Sequence, residues 1–260
     1  MKSDFSKASI EKHLKNRSGV ELHVYDCVDS TNRLAMELAA DGAADGTVIV
    51  AAAQTAGRGR LGRSFFSPDG SGVYISVILR PDALLLDAQH ITAAAAVAVC
   101  HAIAGITEEV PYIKWVNDIY MRDRKVCGIL VQSVSDKDRM GYAVVGIGVN
   151  LVAPEEGFPP EVAAVAGSVL DRSAEDIRAR FVASVIENVM ECCAIPIKQS
   201  VIDEYRRRSW LDGHNINVIR GGNVTPARAI EIDDDCRLRV CYSDGSEERL
   251  VGGEVSIRRT

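Results

Sequence analysis

Two apolar segments with the character of buried strands are separated by a long loop that is rich in glycine and arginine. The strands are predicted at Thr47–Ala53 and Val73–Leu79, and the loop between them contains Gly57–Arg63. Pro68 and the glycines near it exclude a regular helix between the two strands. A loop of this length inside a compact domain is uncommon unless it has a function. We therefore expect a sheet that holds a binding loop.

The loop sequence GRGRLGRS imitates several phosphate-binding patterns. It matches the G-x-G-x-x-G dinucleotide fingerprint and, with arginine for lysine, the G-x-x-x-x-G-K-[ST] phosphate loop, but both require a helix to begin at the loop. A kinase glycine loop does lie between strands, yet the other kinase motifs are absent. What remains is a loop whose glycines allow close backbone approach and whose arginines bind phosphate or carboxylate. A solvated surface loop or a nucleic-acid-binding loop is the alternative.

Composition and charge restrict the classes of function. The 260 residues, 47% of them apolar, suffice for one large domain or for one large and one small domain. A net charge of -6 argues against a protein that coats nucleic acid. The start of the chain has no apolar leader, and the longest apolar run, Ile91–Ile106, is shorter than the roughly 20 residues of a membrane span. We expect a soluble, cytoplasmic protein with Ile91–Ile106 as a core helix.

The order of segments predicts an α/β (α+β) protein with a mixed sheet, packed helices and a smaller C-terminal β module. A short helix is predicted before about Arg17, and further helices near residues 30–40, 174–194 and 199–208. Further strands are predicted near residues 21–26, 112–116, 119–122, 125–133 and 142–149, with a hairpin turn at residues 122–124. From His214 onward, short alternating strands separated by glycine and aspartate turns indicate a barrel-like module. We place the two domains at residues 1–212 and 213–260. The seven cysteines contain no CxxC pair, so we expect mostly buried, apolar cysteines.

Five further motifs carry polar groups next to apolar strands or helices, and each has a structural and a functional interpretation. Ser30–Asn32 caps a helix or lines a polar pocket, and Lys114–Asp118 forms an Asx turn or holds a metal-bound phosphate. Lys125 either packs its aliphatic chain on the strand and extends its ammonium group into solvent, or binds an anion. Gly128 indicates close approach by a backbone or a ligand. Gly146–Asn150 is a bulge or a strand that lies against a flat ligand. No residue pattern indicates a covalent nucleophile.

Taken in order, these motifs resemble the biotin–protein ligase family. The matching blocks are DSTN at 29–32, QTAGRGRLGR at 54–63, FSP at 66–68, KWVND at 114–118, KVCGIL at 125–130, GIGVN at 146–150 and GEVS at 253–256. Val116 departs from the proline that the family usually has, and we expect Asn117 and Asp118 to keep their places. Some members carry an N-terminal helix-turn-helix domain and act as repressors. The segment before Glu21 is too short for that domain, so we expect the monofunctional type, without operator binding.

The resemblance implies a mixed α/β catalytic biotin/ATP-binding domain followed by an SH3-like barrel, with biotin and ATP as substrates and Mg²⁺ as cofactor. It places biotin at Ser30, Thr31, Asn32, Gln54, Gly57, Arg58, Gly59, Arg60, Lys125 and Gly128. It places the nucleotide at Arg60, Arg63, Phe65, Asn117, Asp118 and Asn150. Arg60 and Lys125 are the implied catalytic residues, because cations reduce the repulsion between a carboxylate and a phosphate. The glycine-rich loop is expected to be mobile without ligand and ordered with it.

The implied partner is the lysine of a biotin carboxyl carrier domain, with neither nucleic acid nor membrane, and a homodimer is one option for assembly. A lipoate or octanoate–protein ligase is the enzymatic alternative. The polar Ser30–Asn32 segment and Gln54 favour biotin, since a simple acyl chain needs an apolar tunnel. A biotin-sensing regulator is the non-enzymatic alternative, and the acidic pI of about 5.5 argues against nucleic-acid binding by it.

Overall fold

The computed structural model describes residues 5–81, 88–136, 139–174, 176–211, 213–251 and 255–259. Helices are α1 (Lys7–His13), α2 (Thr31–Ala40), α3 (Ala88–Ala104), α4 (Pro160–Ala163), α5 (Ile177–Cys192) and α6 (Gln199–Arg207). Strands of the larger sheet are β1 (Glu21–Val28), β2 (Thr47–Gln54), β3 (Gly72–Leu79), β4 (Tyr112–Lys114), β5 (Asp118–Met121), β6 (Arg124–Asp136) and β7 (Arg139–Asn150). The predicted elements of this part are confirmed, with ends shifted by a few residues, whereas α4 was not predicted.

The larger sheet has seven strands in the order β1-β2-β3-β7-β6-β5-β4. The β1–β2 pair is parallel and the remaining pairs are antiparallel, so the predicted mixed sheet is confirmed. Every residue of β3 is buried, because both faces of the central strands are covered. Helix α2 packs its small residues Ala35 and Ala39 onto one face, against Ile49 and Ile78. Helices α3 and α5 cover the other face.

Helix α3 is the core helix that the alanine-rich run predicts. Thirteen of its residues are buried, including His101's neighbours Cys100 and Ala102. Small side chains on all sides let the helix pack closely against α5 and the sheet at once. In the described part of the chain, no helix is long and apolar enough to cross a membrane.

The C-terminal module is a five-stranded antiparallel sheet, as the alternating segments predict. Its strands are β8 (Asn215–Arg220), β9 (Asn223–Ile232), β10 (Leu238–Tyr242), β11 (Glu247–Leu250) and β12 (Val255–Arg259), in the order β11-β10-β9-β8-β12. Among the described strands, no β11–β12 pair closes this sheet into a barrel. The predicted domain boundary at residue 212 and the Gly253-Glu254 part of the GEVS block lie outside the described residues.

The cysteines follow the prediction with one exception. Five are buried and Cys241 is partly buried, but Cys27 on the edge strand β1 is exposed, and all seven are free thiols. The predicted turn between β5 and β6 is confirmed. Arg122 and Asp123 there have positive φ values of 50° and 58°, as a tight hairpin turn requires.

The carbonyl oxygen of Cys236 joins the C-terminal module to the rest of the molecule. It accepts hydrogen bonds from Trp115 Nε1, at 2.9 Å, and from Gln89 Nε2 of α3, in a buried position. The C-terminal module and the rest of the molecule also share one apolar core, which contains Leu238 and Val240 of β10. The module is therefore attached by both apolar packing and buried hydrogen bonds.

We predict that Gln89→Leu lowers the free energy of unfolding by about 1 kcal/mol, because one buried hydrogen bond of this junction is lost. Gln199→Leu is the control, since that amide bonds only exposed aspartates and should change stability by less than about 0.5 kcal/mol. Urea denaturation measures both. Equal stability of the two variants would contradict the role given to Gln89.

Candidate active site

A cavity of about 400 Å³ opens on the α2 face of the larger sheet. This volume lies within the range typical of small-molecule sites. Every predicted site residue except Gly57 lines it: Ser30, Thr31, Asn32, Gln54, Arg58, Gly59, Arg60, Arg63, Phe65, Asn117, Asp118, Lys125, Gly128 and Asn150. Motifs far apart in the sequence thus converge on one cavity.

One end of the cavity is polar and uncharged. Ser30 caps α2. The backbone N–H and the hydroxyl of Thr31 donate to Gln54 Oε1, at 2.9 and 3.1 Å. Gln54 Nε2 donates to Ser67 Oγ at 2.9 Å, and Ser67 in turn donates to the carbonyl of Phe65 at 2.9 Å. These bonds fix which way the Gln54 amide points. They also connect this end of the cavity to the loop Gly57–Arg63, hereafter the arginine loop.

Asn32 forms part of the cavity wall, and its amide is engaged by the protein. Its Nδ2 donates to the Leu130 carbonyl at 3.2 Å and to Gln132 Oε1 at 3.0 Å, while its Oδ1 accepts from Ser76 at 2.8 Å. The side chain therefore connects α2 with β3 and β6. A Cβ on Gly146 would lie 1.8 Å from Asn32 Oδ1, so only glycine leaves room for this arrangement.

The arginine loop folds into a compact turn. Gly59 N–H donates to the Arg63 carbonyl at 2.7 Å, and Arg60–Gly62 forms one 3₁₀ turn in which Leu61 has a positive φ of 57°. Gly57 packs beneath the loop rather than in the cavity, because a Cβ there would lie 2.4 Å from the Phe65 carbonyl. Gly57 is thus placed to hold the base of the loop.

Another part of the cavity lining is charged. Lys125 Nζ lies 2.7 Å from Asp118 Oδ1, although that buried oxygen accepts no hydrogen bond of acceptable geometry. Arg60 Nη1 donates to Asn117 Oδ1 at 2.8 Å, and Asn117 Nδ2 donates to the Ile129 carbonyl at 2.7 Å. Burial lowers the pKa of Arg60, while nearby Asp118 opposes that shift. A guanidinium remains charged at neutral pH nonetheless, so Arg60 and Lys125 are two of the cations that line the cavity.

Phe65 lies across the two neighbouring strands that form the cavity floor. Gly128 of β6 pairs with Gly148 of β7. A Cβ on Gly148 would lie 2.6 Å from the Phe65 ring, and one on Gly128 would lie 3.3 Å from it. The glycines thus provide a flat surface, as their mid-strand positions indicate, and an aromatic ring of the protein covers it. Asn150, at the end of β7, donates to the Gly167 carbonyl at 3.0 Å.

Two groups of lining residues were not predicted. Lys114 and Tyr120 form the first group, and Lys114 Nζ lies 5.3 Å from the ring centre of Tyr120. Trp210, outside the lining, stacks on Tyr120 and has its ring centre 5.8 Å from Lys114 Nζ. Lys114, the first residue of the KWVND block, was the feature of the sequence that could have predicted the first group. The second group consists of apolar side chains on the segment around α4, namely Phe158, Val162 and Val165. Val165 is 52% exposed, and apolar residues in a loop-like sequence carry no functional signal by themselves.

We predict that Gly57→Ala loosens the loop and that Gly59→Ala does not. The new methyl group at residue 57 meets backbone at 2.4 Å, whereas the one at residue 59 meets its nearest atom, the Arg63 carbonyl oxygen, at 3.4 Å. Limited trypsin digestion measures cleavage after Arg58, Arg60 and Arg63. Cleavage should be at least about tenfold faster in Gly57→Ala, and within about twofold of the unmodified rate in Gly59→Ala. Similar rates in both variants would contradict the packing argument.

Comparisons with known proteins agree on one family. Residues 24–150 match the model described as the biotin/lipoate A/B protein ligase family, and residues 213–258 match the biotin protein ligase C-terminal domain. The chain is similar to a biotin--[acetyl-CoA-carboxylase] ligase of Mycobacterium tuberculosis, with 32% identity over 92% of this chain and 90% of that protein. It is also 39% identical, over 72% of its length, to the bifunctional ligase/repressor BirA of Bacillus subtilis.

The matches differ in how much of each relative they cover. The match spans 57% of the length of the Bacillus subtilis protein and 41% of that of its Escherichia coli counterpart. Among solved structures, the Aquifex aeolicus biotin protein ligase in complex with biotin and ATP has a TM-score of 0.75 and 25% identity, over 92% of this chain and 99% of that chain. On the combined strength of both domain matches and the nearly full-length relative, the chain belongs to the biotin protein ligase family.

Proposed function

We propose that this chain is an ATP-dependent ligase that activates biotin as biotinyl-5′-AMP and transfers the biotinyl group to a lysine of a biotin carboxyl carrier domain. One observation carries the proposal. A single cavity is lined by an uncharged polar group at Thr31 and Gln54 and by a cationic group at Arg60 and Lys125. Biotin has the same polarity, with an uncharged ureido ring at one end and a carboxylate at the other.

The polar end suits the ureido ring. A buried ureido group needs partners for its N–H groups and its oxygen, and unmatched groups would each cost about 1–3 kcal/mol. Ser30, Thr31 and Gln54 offer hydroxyl and amide groups, all less than fully committed to the protein. A lipoyl or octanoyl chain would leave these groups without partners, which disfavours the lipoate or octanoate alternative.

The cationic end suits the first reaction. A biotin carboxylate oxygen attacks the α-phosphorus of ATP, the bond to the pyrophosphate oxygen breaks, and biotinyl-AMP and pyrophosphate result. Arg60 and Lys125 reduce the repulsion between the two anions and stabilise the charge of the transition state. Arg58 and Arg63 lie on the same loop and would bind the remaining phosphate oxygens.

The nucleotide would occupy the side of the cavity that Phe65, Asn117 and Asn150 line. The Phe65 ring already lies on a flat glycine surface, so it is placed to stack with a planar base. In the second reaction the uncharged amine of the acceptor lysine attacks the acyl carbon. AMP leaves, an amide forms and the amine's proton passes to solvent. Positioning of the two reactants supplies the rate enhancement.

Magnesium fits this cavity through Asp118. Its carboxylate lines the cavity, and its buried Oδ1 has an ion pair with Lys125 as its partner, so it could share a cation with phosphate oxygens. The described residues contain no cluster of three or more acidic, histidine or cysteine ligands, so the phosphates would supply further ligands. Mg²⁺ would neutralise phosphate charge, while Lys125 holds the carboxylate of Asp118 in place. The cytoplasm, where ATP is available, is the compartment we propose.

The decisive experiment incubates the protein with labelled biotin, ATP, Mg²⁺ and an isolated carrier domain of a biotin-dependent carboxylase. We expect label on the carrier, none on a carrier whose acceptor lysine is replaced by arginine, and none after chelation of Mg²⁺ with EDTA. An unlabelled carrier would refute the proposal. Labelling by octanoate or lipoate instead would select the alternative ligase, and biotin binding without any transfer would favour a regulator.

We predict that Lys125→Met lowers the rate of biotinyl-AMP formation by about 10²–10³-fold, because a cation at the reacting oxygens is lost. Lys12→Met, which removes a surface lysine whose side chain is 74% exposed, is the matched control and should retain the full rate. Pyrophosphate release measures both rates. A Lys125→Met variant that is as fast as the control would exclude Lys125 from the chemistry.

A further inference from the structure

Ser76 is a buried hydroxyl in the middle of an apolar strand. It lies in β3 between Ile75 and Val77 and is fully buried. A hydroxyl without a partner in such a place is costly, by about 1–3 kcal/mol on the scale of protein mutations. Its oxygen lies 2.9 Å from Thr31 Oγ1 and 2.8 Å from Asn32 Oδ1, both on the first turn of α2. Ser76 does not line the cavity itself, but it touches two residues that do.

The direction of these hydrogen bonds follows from the donors and acceptors present. Asn32 Nδ2 faces two acceptors, the Leu130 carbonyl and Gln132 Oε1, so Asn32 Oδ1 faces Ser76 and must accept. Ser76 therefore donates its single proton to Asn32 Oδ1 and Thr31 Oγ1, which lie at similar distances from its oxygen.

Thr31 is left in a defined state by this arrangement. Its hydroxyl donates to Gln54 Oε1 at 3.1 Å, and its oxygen accepts from Ser76 Oγ at 2.9 Å. With the proton held by the protein, the oxygen of Thr31 offers its remaining lone pair to a donor in the cavity. A ligand that presents an N–H group at this end would be bound, and one that presents only C–H groups would not.

The neighbouring strand is adapted to the same contact. Ser76 pairs directly with Gly146 in the β3–β7 ladder, and Gly146 leaves the space that Asn32 Oδ1 occupies. The hydroxyl of Ser76 and the missing side chain of Gly146 together fix where the first turn of α2 meets the sheet.

We propose that Ser76 is a positioning residue that sets the affinity for the acid, by holding Thr31 and Asn32 in the state that accepts an N–H-bearing ring. This inference rests on the proposed function, because it takes biotin as the acid. Ser76 acts through Thr31 and Asn32, so it should govern binding of the acid and leave ATP binding and the chemical step alone.

The test compares the unmodified protein with Ser76→Ala, Ser76→Cys and Thr92→Val. Thr92 is the control, since among the described residues its hydroxyl bonds only the Ala88 carbonyl within α3, and it does not line the cavity. Biotin binding is measured by calorimetry without ATP, and biotinyl-AMP formation by pyrophosphate release. We expect Ser76→Ala to raise the Kd and the KM for biotin about tenfold, with kcat and the KM for ATP within about twofold. Ser76→Cys, a weaker donor, should fall between, and Thr92→Val should bind biotin normally.

An unchanged biotin Kd in a folded Ser76→Ala variant would overturn the inference. So would an equal change in the KM for ATP, which indicates general disruption. If Ser76→Ala does not fold, a Kd raised by at least about threefold in Ser76→Cys supports the inference and an unchanged one overturns it. An unmodified protein that binds biotin but forms no adenylate would refute the proposed ligase, while the calorimetric comparison would still decide the role of Ser76.

Discussion

The cavity depends on glycines that sit side by side in the centre of the sheet. Gly146 pairs with Ser76 and Leu130, and Gly148 pairs with Tyr74 and Gly128. Elsewhere in this sheet the central strands are covered by packed side chains on both faces. Removing side chains at paired positions opens one face locally and leaves the hydrogen-bond ladder intact. A strand rich in glycine is weakened by itself, so the long β6–β7 and β3–β7 ladders compensate for that loss.

Within this opening, the protein holds its charged groups in place before a ligand arrives. The Lys125–Asp118 ion pair and the Arg60–Asn117 hydrogen bond keep two cations at one end of the cavity. A partly buried cation without a partner would be costly, so these contacts stabilise the open site. When an anionic ligand binds, Lys125 and Arg60 would exchange these protein partners for the ligand, with little reorganisation of the side chains. This arrangement suits catalysis by charge stabilisation, which requires groups that are oriented in advance.

Sequence reasoning identified residues that line the cavity where polar side chains interrupt apolar segments. Gln54 at the end of a strand, Lys125 at the start of another and the arginine loop are visible because apolar neighbours give no reason for them. The register that pairs Gly128 with Gly148 was not predictable, since it depends on strands far apart in the chain. Ser76 looked like an ordinary strand residue, because its importance comes only from the contact with α2.

Other features of the cavity that the sequence does not reveal have a similar physical origin. Gly57 has the spacing of a ligand-contacting glycine, yet it packs beneath the loop, and only the folded turn shows this. The apolar residues around α4 reach the cavity because Lys125 N–H donates to the Val165 carbonyl at 2.7 Å and Gly167 N–H donates to the Lys125 carbonyl. Backbone bonds of this kind leave no trace in residue types. Patterns of side-chain chemistry are readable from sequence, but backbone contacts between distant segments are not.

The C-terminal module contributes to the cavity through its wall. Trp115 lines the cavity and donates to the Cys236 carbonyl of the module, while the hydroxyl of Tyr205 in α6 donates to the Val116 carbonyl at 2.9 Å. Burial raises the pKa of Tyr205, so this hydroxyl keeps its proton and its donor role across the physiological pH range. Two buried hydrogen bonds, one from Trp115 and one to the Val116 carbonyl, thus stabilise the turn that carries Asn117 and Asp118. A module attached at this point supports the turn that carries Asn117 and Asp118, although none of the module's described residues lines the cavity.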